Sequence, residues 1–308
     1  MPHMQKIVEC VPNFSEGKDK KIIDAIFNAA LRQTQGKPVK VFELESNSDH
    51  NRMLFTIVGE PEDVLTSVFE SIKVATRLID MNKHKGEHPR IGATDVVPFV
   101  PVSGVTMKEC VELAKKLGKK VGRELGIPVF LYEEAATKLE NRNLADVRKG
   151  EYEGLRVKMS SRGGSALGGN KPDFGPDKLH PTAGAVVIGA RKYLVAFNVN
   201  LDTPNVQIAK QIASKIREKN GGLPAVKALG FEVDGLAQVS MNLVDFEKTN
   251  FDQAYRAIEK EIKNYKLKIK NSEIYGMIPL ESLVSAVKST FKADTFTSDQ
   301  VLEKRLYE

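Results

Sequence analysis

Tryptophan is absent from the 308 residues, and histidine occurs five times. Without Trp and without an arginine-rich tract, the chain lacks the stacking platforms and basic stripe of a nucleic-acid binder, and no nucleic-acid partner is expected. Cysteine is nearly missing too. Cys10 and Cys110 are the two present, too few for a disulfide framework or a paired-cysteine metal site. Both lie in apolar patterns and read as buried thiols. No apolar run approaches the ~20 residues that span a bilayer, and the start Met1-Pro2-His3-Met4-Gln5-Lys6 has no apolar signal region. A cytoplasmic protein without a membrane partner is therefore expected.

What is present is ordinary globular material, 41% apolar and 28% charged, enough for a core in each of two domains. The net charge is +6, from 46 basic and 40 acidic residues. That mild excess favours anionic ligands or solubility.

Hydrophobic period divides the chain. Strand-like segments are expected at Ile7–Val11, Val39–Leu44, Met53–Val58 and Asp95–Val102. Asp19 caps an expected helix with Ile22, Ile23, Ile26, Phe27, Ala30 and Leu31 inward. Pro61 opens a second, with a stripe from Leu65 to Ile79. The order β-α-β-β-α-β is the split-βαβ pattern. A further helix near Met107–Leu125 and a strand at Val129–Tyr132 follow. A long Gly/Pro-rich loop is expected over Ser160–Gly184. The second half repeats the order: strand at Lys192–Leu201, helix at Asn205–Arg217, strands at Val226–Phe231 and Ala237–Leu243, helix at Phe251–Tyr265, strand at Ser272–Ile278 and a helix at Leu280–Phe291. The pattern predicts an α+β protein of two ferredoxin-like subdomains, 1–190 and 191–308, with a ligand cleft between them.

Three segments carry chemistry. In Lys83-His84-Lys85-Gly86-Glu87-His88-Pro89-Arg90, a histidine near neutral titration suits proton transfer, with Glu87 or Arg90 to orient it. His84 and His88 have the i,i+4 spacing of a metal pair, but Gly86 and Pro89 oppose the helix that spacing needs, and no metal is expected. On spacing alone a surface loop beside a helix end explains them as well as catalysis does. The stretch Glu43 to Arg52, rich in carboxylates and amides, reads as a cation or polar-ligand site or as a solvated turn. In the Gly/Pro-rich loop, glycines permit close backbone approach, and the Arg191 that follows it suits a carboxylate.

Together these residues resemble the formiminotransferase domain family. The resemblance rests on Val8-Glu9-Cys10-Val11-Pro12-Asn13-Phe14-Ser15-Glu16-Gly17, Asn51-Arg52, Arg77-Leu78-Ile79-Asp80-Met81 and His84-Lys85-Gly86-Glu87-His88-Pro89-Arg90. It continues through Leu131-Tyr132-Glu133-Glu134-Ala135-Ala136, Gly150-Glu151-Tyr152-Glu153, Pro172-Asp173-Phe174-Gly175-Pro176, Gly189-Ala190-Arg191-Lys192 and Ala237-Gln238-Val239-Ser240-Met241-Asn242-Leu243, in order along nearly the whole chain.

The resemblance implies a homodimeric transferase of one-carbon metabolism and histidine degradation, its two subdomains enclosing a ligand tunnel. It would move a formimino group from formiminoglutamate to the co-substrate tetrahydrofolate. It places the catalytic histidine at His88, with Glu45 or Glu87 to hold its ring. The folate loop falls on Gly175-Pro176-Asp177-Lys178-Leu179-His180-Pro181-Thr182-Ala183-Gly184, and Arg52, Arg90 and Arg191 are expected on substrate carboxylates. Formyl transfer between 5-formyltetrahydrofolate and glutamate at the same site, a non-catalytic folate binder and a His84/His88 metal hydrolase are the rival readings.

Overall fold

A computed structural model describes residues 6–33, 36, 39–160 and 171–307. They fall into two compact units, Met1–Arg191 and Lys192–Glu308, each taken by itself. The glycines at 163, 164, 168 and 169 of the expected long loop lie outside the described residues.

In the first unit, β1 (Ile7–Cys10) and β2 (Asn13–Phe14) lead to α1 (Lys20–Arg32), β3 (Val39–Asn47), β4 (Arg52–Gly59), α2 (Pro61–Leu78) and β5 (Thr94–Ser103). Then come α3 (Met107–Leu125), β6 (Val129–Glu133), α4 (Leu144–Val147), α5 (Glu151–Ser160) and β7 (Val186–Ala190). Among the described residues these strands make one seven-stranded sheet. The β1, β2, β3, β4 and β5 pairings are antiparallel, whereas β7 lies parallel between β5 and β6.

Local chemistry sets the helix boundaries. Asp19 accepts from the Lys21 and Ile22 amides at the start of α1, as expected, and turns Ile23, Ile26, Ala29 and Ala30 inward. Thr106 and Glu109 form a reciprocal capping box on α3, which ends at Gly126 with φ 66°. The residues Val8, Phe14, Ile26, Phe55, Ile57, Val68, Ile72, Leu117 and Ile188 fill the main core. A smaller core of Ile91, Val96, Phe130, Tyr132, Ala185 and Val187 lies on the sheet's other face, packed by Leu144, Val147, Leu155 and Met159. So β7 is buried on both faces, as a parallel strand between two others should be. A Cβ at Gly189 would stand 2.4 Å from the Tyr132 ring, so β7 needs glycine there.

In the second unit, β8 (Val195–Leu201), α6 (Val206–Ile216), β9 (Val226–Val233), β10 (Leu236–Leu243), α7 (Phe251–Ile262) and β11 (Ile269–Tyr275) precede α8 (Leu280–Phe291) and α9 (Leu302–Tyr307). The four strands pair antiparallel in the order β11-β8-β10-β9. One face carries Val195, Phe197, Val199, Val239, Met241 and Leu243 against Ile212, Ile216, Ile258 and Ile262 of α6 and α7. The fold is thus mixed α+β with two sheets. No helix among the described residues is long and apolar enough to cross a membrane.

The last strand differs from expectation. It occupies Ile269–Tyr275, not Ser272–Ile278, because it is a largely exposed edge paired with β8, and the apolar Met277-Ile278 lies past its end.

Candidate active site

The histidine-rich loop between α2 and β5 meets three other segments at one end of the first sheet. The turn after β3 brings Asn51 in with φ 48°. Its side chain accepts from the Gly17 amide at 2.9 Å and donates to the Lys85 carbonyl at 2.9 Å. Two glycines permit this closeness: a Cβ would lie 2.2 Å from the Asn47 carbonyl oxygen at Gly17 and 2.3 Å from that of His50 at Gly86. Ser15 ties the β2 end to the start of β5, donating through Oγ to Gly92 O at 2.7 Å.

These segments wall a narrow crevice of about 10 Å³ lined by Asn13, Phe14, Ser15, His50, Asn51, Arg52, His84, His88, Arg90 and Asp95. It is far smaller than an ordinary ligand pocket. His50 and Arg52 also line an open groove of about 570 Å³ with Leu44, Glu45, Ser46, Asn47, Met53 and Leu54. That volume is in the range of ordinary ligand sites, and His50 and Arg52 are common to both.

The two histidines of the loop differ in state. Arg90 donates from Nε to His84 Nδ1 at 3.2 Å, and His84 Nε2 lies 3.0 Å from Asn51 O. An arginine cannot accept, so Nδ1 is the acceptor and the proton sits on Nε2, donated to the carbonyl. Both ring nitrogens are thus engaged, and burial lowers the His84 pKa. His88 is half-buried. Desolvation first, then the charges of Arg52 and Arg148, lower its pKa from 6.5 to about 4. At neutral pH it is an unprotonated imidazole, able to accept a proton. The His50 ring stands 6.2 Å away between centroids.

Arg52 is largely buried and donates from Nε to Asn13 Oδ1 at 2.9 Å, with Nη2 on the same oxygen. Burial and Arg148 lower its pKa. Arg148, just past α4, pairs with the buried Asp95 carboxylate, which also accepts from the Ile91 amide at 2.9 Å. Among the described residues, Arg148 Nε is buried with no hydrogen-bond partner. Burial raises the Asp95 pKa, and Arg148 opposes that. Two guanidiniums thus disfavour protonation of His88, and one of them is paired with the buried Asp95 carboxylate.

The expected site residues are distributed unevenly. His88, Arg52 and Arg90 line the crevice, and Glu45 lies in the adjoining groove, exposed. Glu87 is exposed, and its amide donates to Asp49 O at 3.3 Å. Arg90 is buried, and its Nη atoms hold Glu151 at 2.8 Å and Glu153 at 2.7 Å. Arg191 follows β7, and its amide donates to Phe99 O at 3.0 Å. The parallel β5–β7 register puts it toward the end of β5 away from Asp95, roughly 15 Å along the strand at ~3.3 Å per residue.

The Gly175 to Gly184 loop splits in two. Gly175 (φ 84°) packs on Gly122 of α3 and on Ile127 just past its end. His180 and Gly184 pair through their backbones, and His180 Nδ1 accepts from Ala183 N at 3.0 Å. Pro181 and Thr182 dock on the loop after α2: Asn82 Nδ2 donates to Pro181 O at 2.8 Å and Met81 N to Thr182 O at 2.8 Å. Ala183 is buried. Pro176, Asp177, Lys178 and Leu179 carry the chain between these two anchors.

Sequence reasoning assigned no role to Asp95 or Arg148 and took Asn13 and His50 only as members of longer segments. Asn13 and His50 lie in turn-rich stretches whose local propensity explains them, and Asp95 reads as the first residue of a strand. Arg148 follows a four-residue helix with no usable period.

Comparison with known proteins adds to this geometry. The model of the "Formiminotransferase domain, N-terminal subdomain" matches residues 7–191, and that of the "Formiminotransferase domain" matches residues 196–303. The chain is 44% identical to a glutamate formimidoyltransferase of Streptococcus pyogenes over 98% of its own length and 99% of the relative's. It is 41% identical to a protein of the same name from Thermoplasma acidophilum, covering 97% of each. A formimidoyltransferase-cyclodeaminase from Sus scrofa is 43% identical over 92% of this chain, which spans 52% of that longer protein.

Proposed function

Because the chain belongs to the formiminotransferase domain family, we propose that it transfers the formimino group of N-formimino-L-glutamate to N5 of tetrahydrofolate. The products are 5-formiminotetrahydrofolate and glutamate, placing the enzyme in histidine degradation and one-carbon metabolism. Tetrahydrofolate is a co-substrate, consumed in each turnover.

The neutral His88 imidazole beside two guanidiniums carries the residue-level reading. The N5 lone pair attacks the formimino carbon, and a tetrahedral carbon forms with N5 carrying an extra proton. His88 takes that proton. The imidazolium then protonates the glutamate nitrogen as its bond to carbon breaks. Formimino stays on N5, glutamate leaves with its amino group, and the imidazole returns to its starting state. A positioned proton carrier of this kind contributes about 10²–10⁴-fold. Arg52 holds a carboxylate of the donor, the role for which a half-satisfied buried guanidinium is suited. The Arg148–Asp95 pair neutralises the buried carboxylate that lines the crevice, leaving Arg52 to meet the substrate charge. Glu45, on the groove wall with His50 and Arg52, is the carboxylate this reading assigns to steady the imidazolium formed in mid-reaction.

In this reading the wide groove takes the folate, and the 175–184 loop is its family-implied partner. Arg90 and Arg191 do not fit carboxylate binding as well as Arg52: one is satisfied by two glutamates, and the register sets the other toward the far end of β5. The same reading carries ferredoxin-like topology for each unit, a cytoplasmic location and a homodimer. The strand order of the second sheet supports the first of these.

Purified protein with tetrahydrofolate and formiminoglutamate should release glutamate in step with 5-formiminotetrahydrofolate, followed by absorbance. Substitution of 5-formyltetrahydrofolate and glutamate should give far slower exchange. Folate binding with neither reaction would contradict the proposal.

A further inference from the structure

The segment Gly150-Glu151-Tyr152-Glu153 matters to the resemblance, yet the mechanism does not use it. In the structure it grips both the His88 loop, which lines the crevice, and the 180–184 loop, which docks on Met81 and Asn82. Glu151 and Glu153 hold the guanidinium of Arg90, with Nη1 at 2.8 Å from each and Nη2 at 2.7 Å from Glu153. The Tyr152 amide donates to the Arg90 carbonyl at 2.8 Å. So Arg90, two residues after His88, is held by both backbone and side chain. Its Nε then fixes His84, and His84 fixes Asn51 beside Arg52.

The same residues reach the second loop. The Tyr152 hydroxyl donates to Asn82 Oδ1 at 3.1 Å, and Asn82 Nδ2 holds Pro181 O. The Tyr152 ring lies against Gly184, where an added Cβ would meet it at 3.2 Å. Glu151 adopts φ 55°, a conformation rare for residues with a side chain. Such an outlier is kept where surrounding bonds over-determine it, and here the Glu151 amide also donates to Arg148 O at 2.7 Å.

We propose that Glu151, Tyr152 and Glu153 are positioning residues of the transfer reaction, clamping the His88 loop to the 180–184 loop through Arg90 and Asn82. None of the three lines the crevice. The clamp acts by holding the imidazole within reach of N5, where a misplacement near 1 Å costs about 10²-fold in rate. It rests on the transferase reading for its kinetic consequence, but its geometric consequence does not need turnover.

The test therefore has two readouts on Glu151→Gln/Glu153→Gln, with Tyr152→Phe as a second, milder variant. Nitrogen NMR of the ligand-free protein reports the rings. Wild-type His84 should show a single Nε2–H tautomer and His88 a titration near 4, set by its burial and by Arg52, Arg148 and His50 facing it. In the double variant, mixed His84 tautomers and a His88 midpoint at least one unit higher are expected. Formimino transfer should lose tenfold or more in kcat, with KM for either substrate within threefold and the melting temperature within a few degrees. Unchanged tautomer and titration would overturn the clamp whether or not the wild type transfers the group. So would a kcat within twofold of wild type, or a loss of rate that only follows a loss of folded protein. A wild type that does not transfer at all contradicts the transferase reading alone, and the NMR still decides the clamp. Should the double variant not fold, Tyr152→Phe is judged by the same two criteria.

Discussion

At the scale of single residues the site depends on how much charge is set against an uncharged ring. His88 has an ordinary pKa of 6.5 and about 4 in the folded chain, so the fold prefers the neutral form. Protein stability should therefore be intact above pH 6.5 and decline as pH falls from 6.5 toward 4. Denaturation midpoints of wild type and His88→Asn across that range should converge at the acid end. Activity follows the same group: kcat/KM should be flat above about pH 5 and fall as the base is protonated through pH 4. A midpoint near 6.5 would contradict the described environment. Arg52→Ala removes a charged donor from a half-satisfied, buried position. It should raise KM for formiminoglutamate about 10–100-fold, from the ~1.5–3 kcal/mol such hydrogen bonds are worth. The Glu-His-Pro-Arg run was legible as a candidate because histidine suits proton transfer, but its residue types left a surface loop equally open, and the resemblance chose His88. Arg148 was not, since nothing near it in sequence signals that it folds back onto Asp95.

At the scale of elements, boundaries followed capping chemistry closely where caps were strong. The helix expected near Met107–Leu125 forms over that span, because Thr106 and Glu109 start it and Gly126 stops it. Thr106→Ala should cost about 1 kcal/mol, a fall of about 2–4 °C in melting temperature for a chain this size, with turnover unchanged. Thermal scans paired with the transfer assay check both halves of that statement. By contrast Gly86→Ala places a Cβ 2.3 Å from a carbonyl oxygen. It should lower kcat sharply by moving the His88 loop off the β3–β4 turn. Elements that escaped sequence reading did so for physical reasons. The apolar run of β7 is short and follows a Gly-containing loop, and its pairing with β5 and β6 is non-local. The α5 helix has little amphipathic contrast, with Tyr152 its one fully buried side chain among those described. The β11 strand is an edge whose apolar neighbours lie outside the pairing.

At the scale of the whole molecule, two units with separate cores share one polypeptide. The alternation of β and α elements was visible in both halves, because each half repeats the same spacing of apolar faces. The insertion of β7 into the first sheet was not, since it returns from a loop across sixty residues of chain to pair with β5 and β6. The residues that carry the proposed chemistry all lie in Met1–Arg191. A chain comprising Lys192–Glu308 alone should fold, with far-UV dichroism and a cooperative melt, because its core closes on itself; it should not transfer a formimino group. Dialysis of the full chain against a chelator should leave turnover unchanged, since both His84 nitrogens are already engaged by protein groups. The central claim is that one uncharged imidazole moves the proton during transfer. Its most direct measurement is the single-turnover rate of His88→Ala with tetrahydrofolate and formiminoglutamate both saturating, alongside folate binding. The rate should fall about 10²–10⁴-fold with binding within threefold of wild type; a rate within a few-fold of wild type would contradict the account.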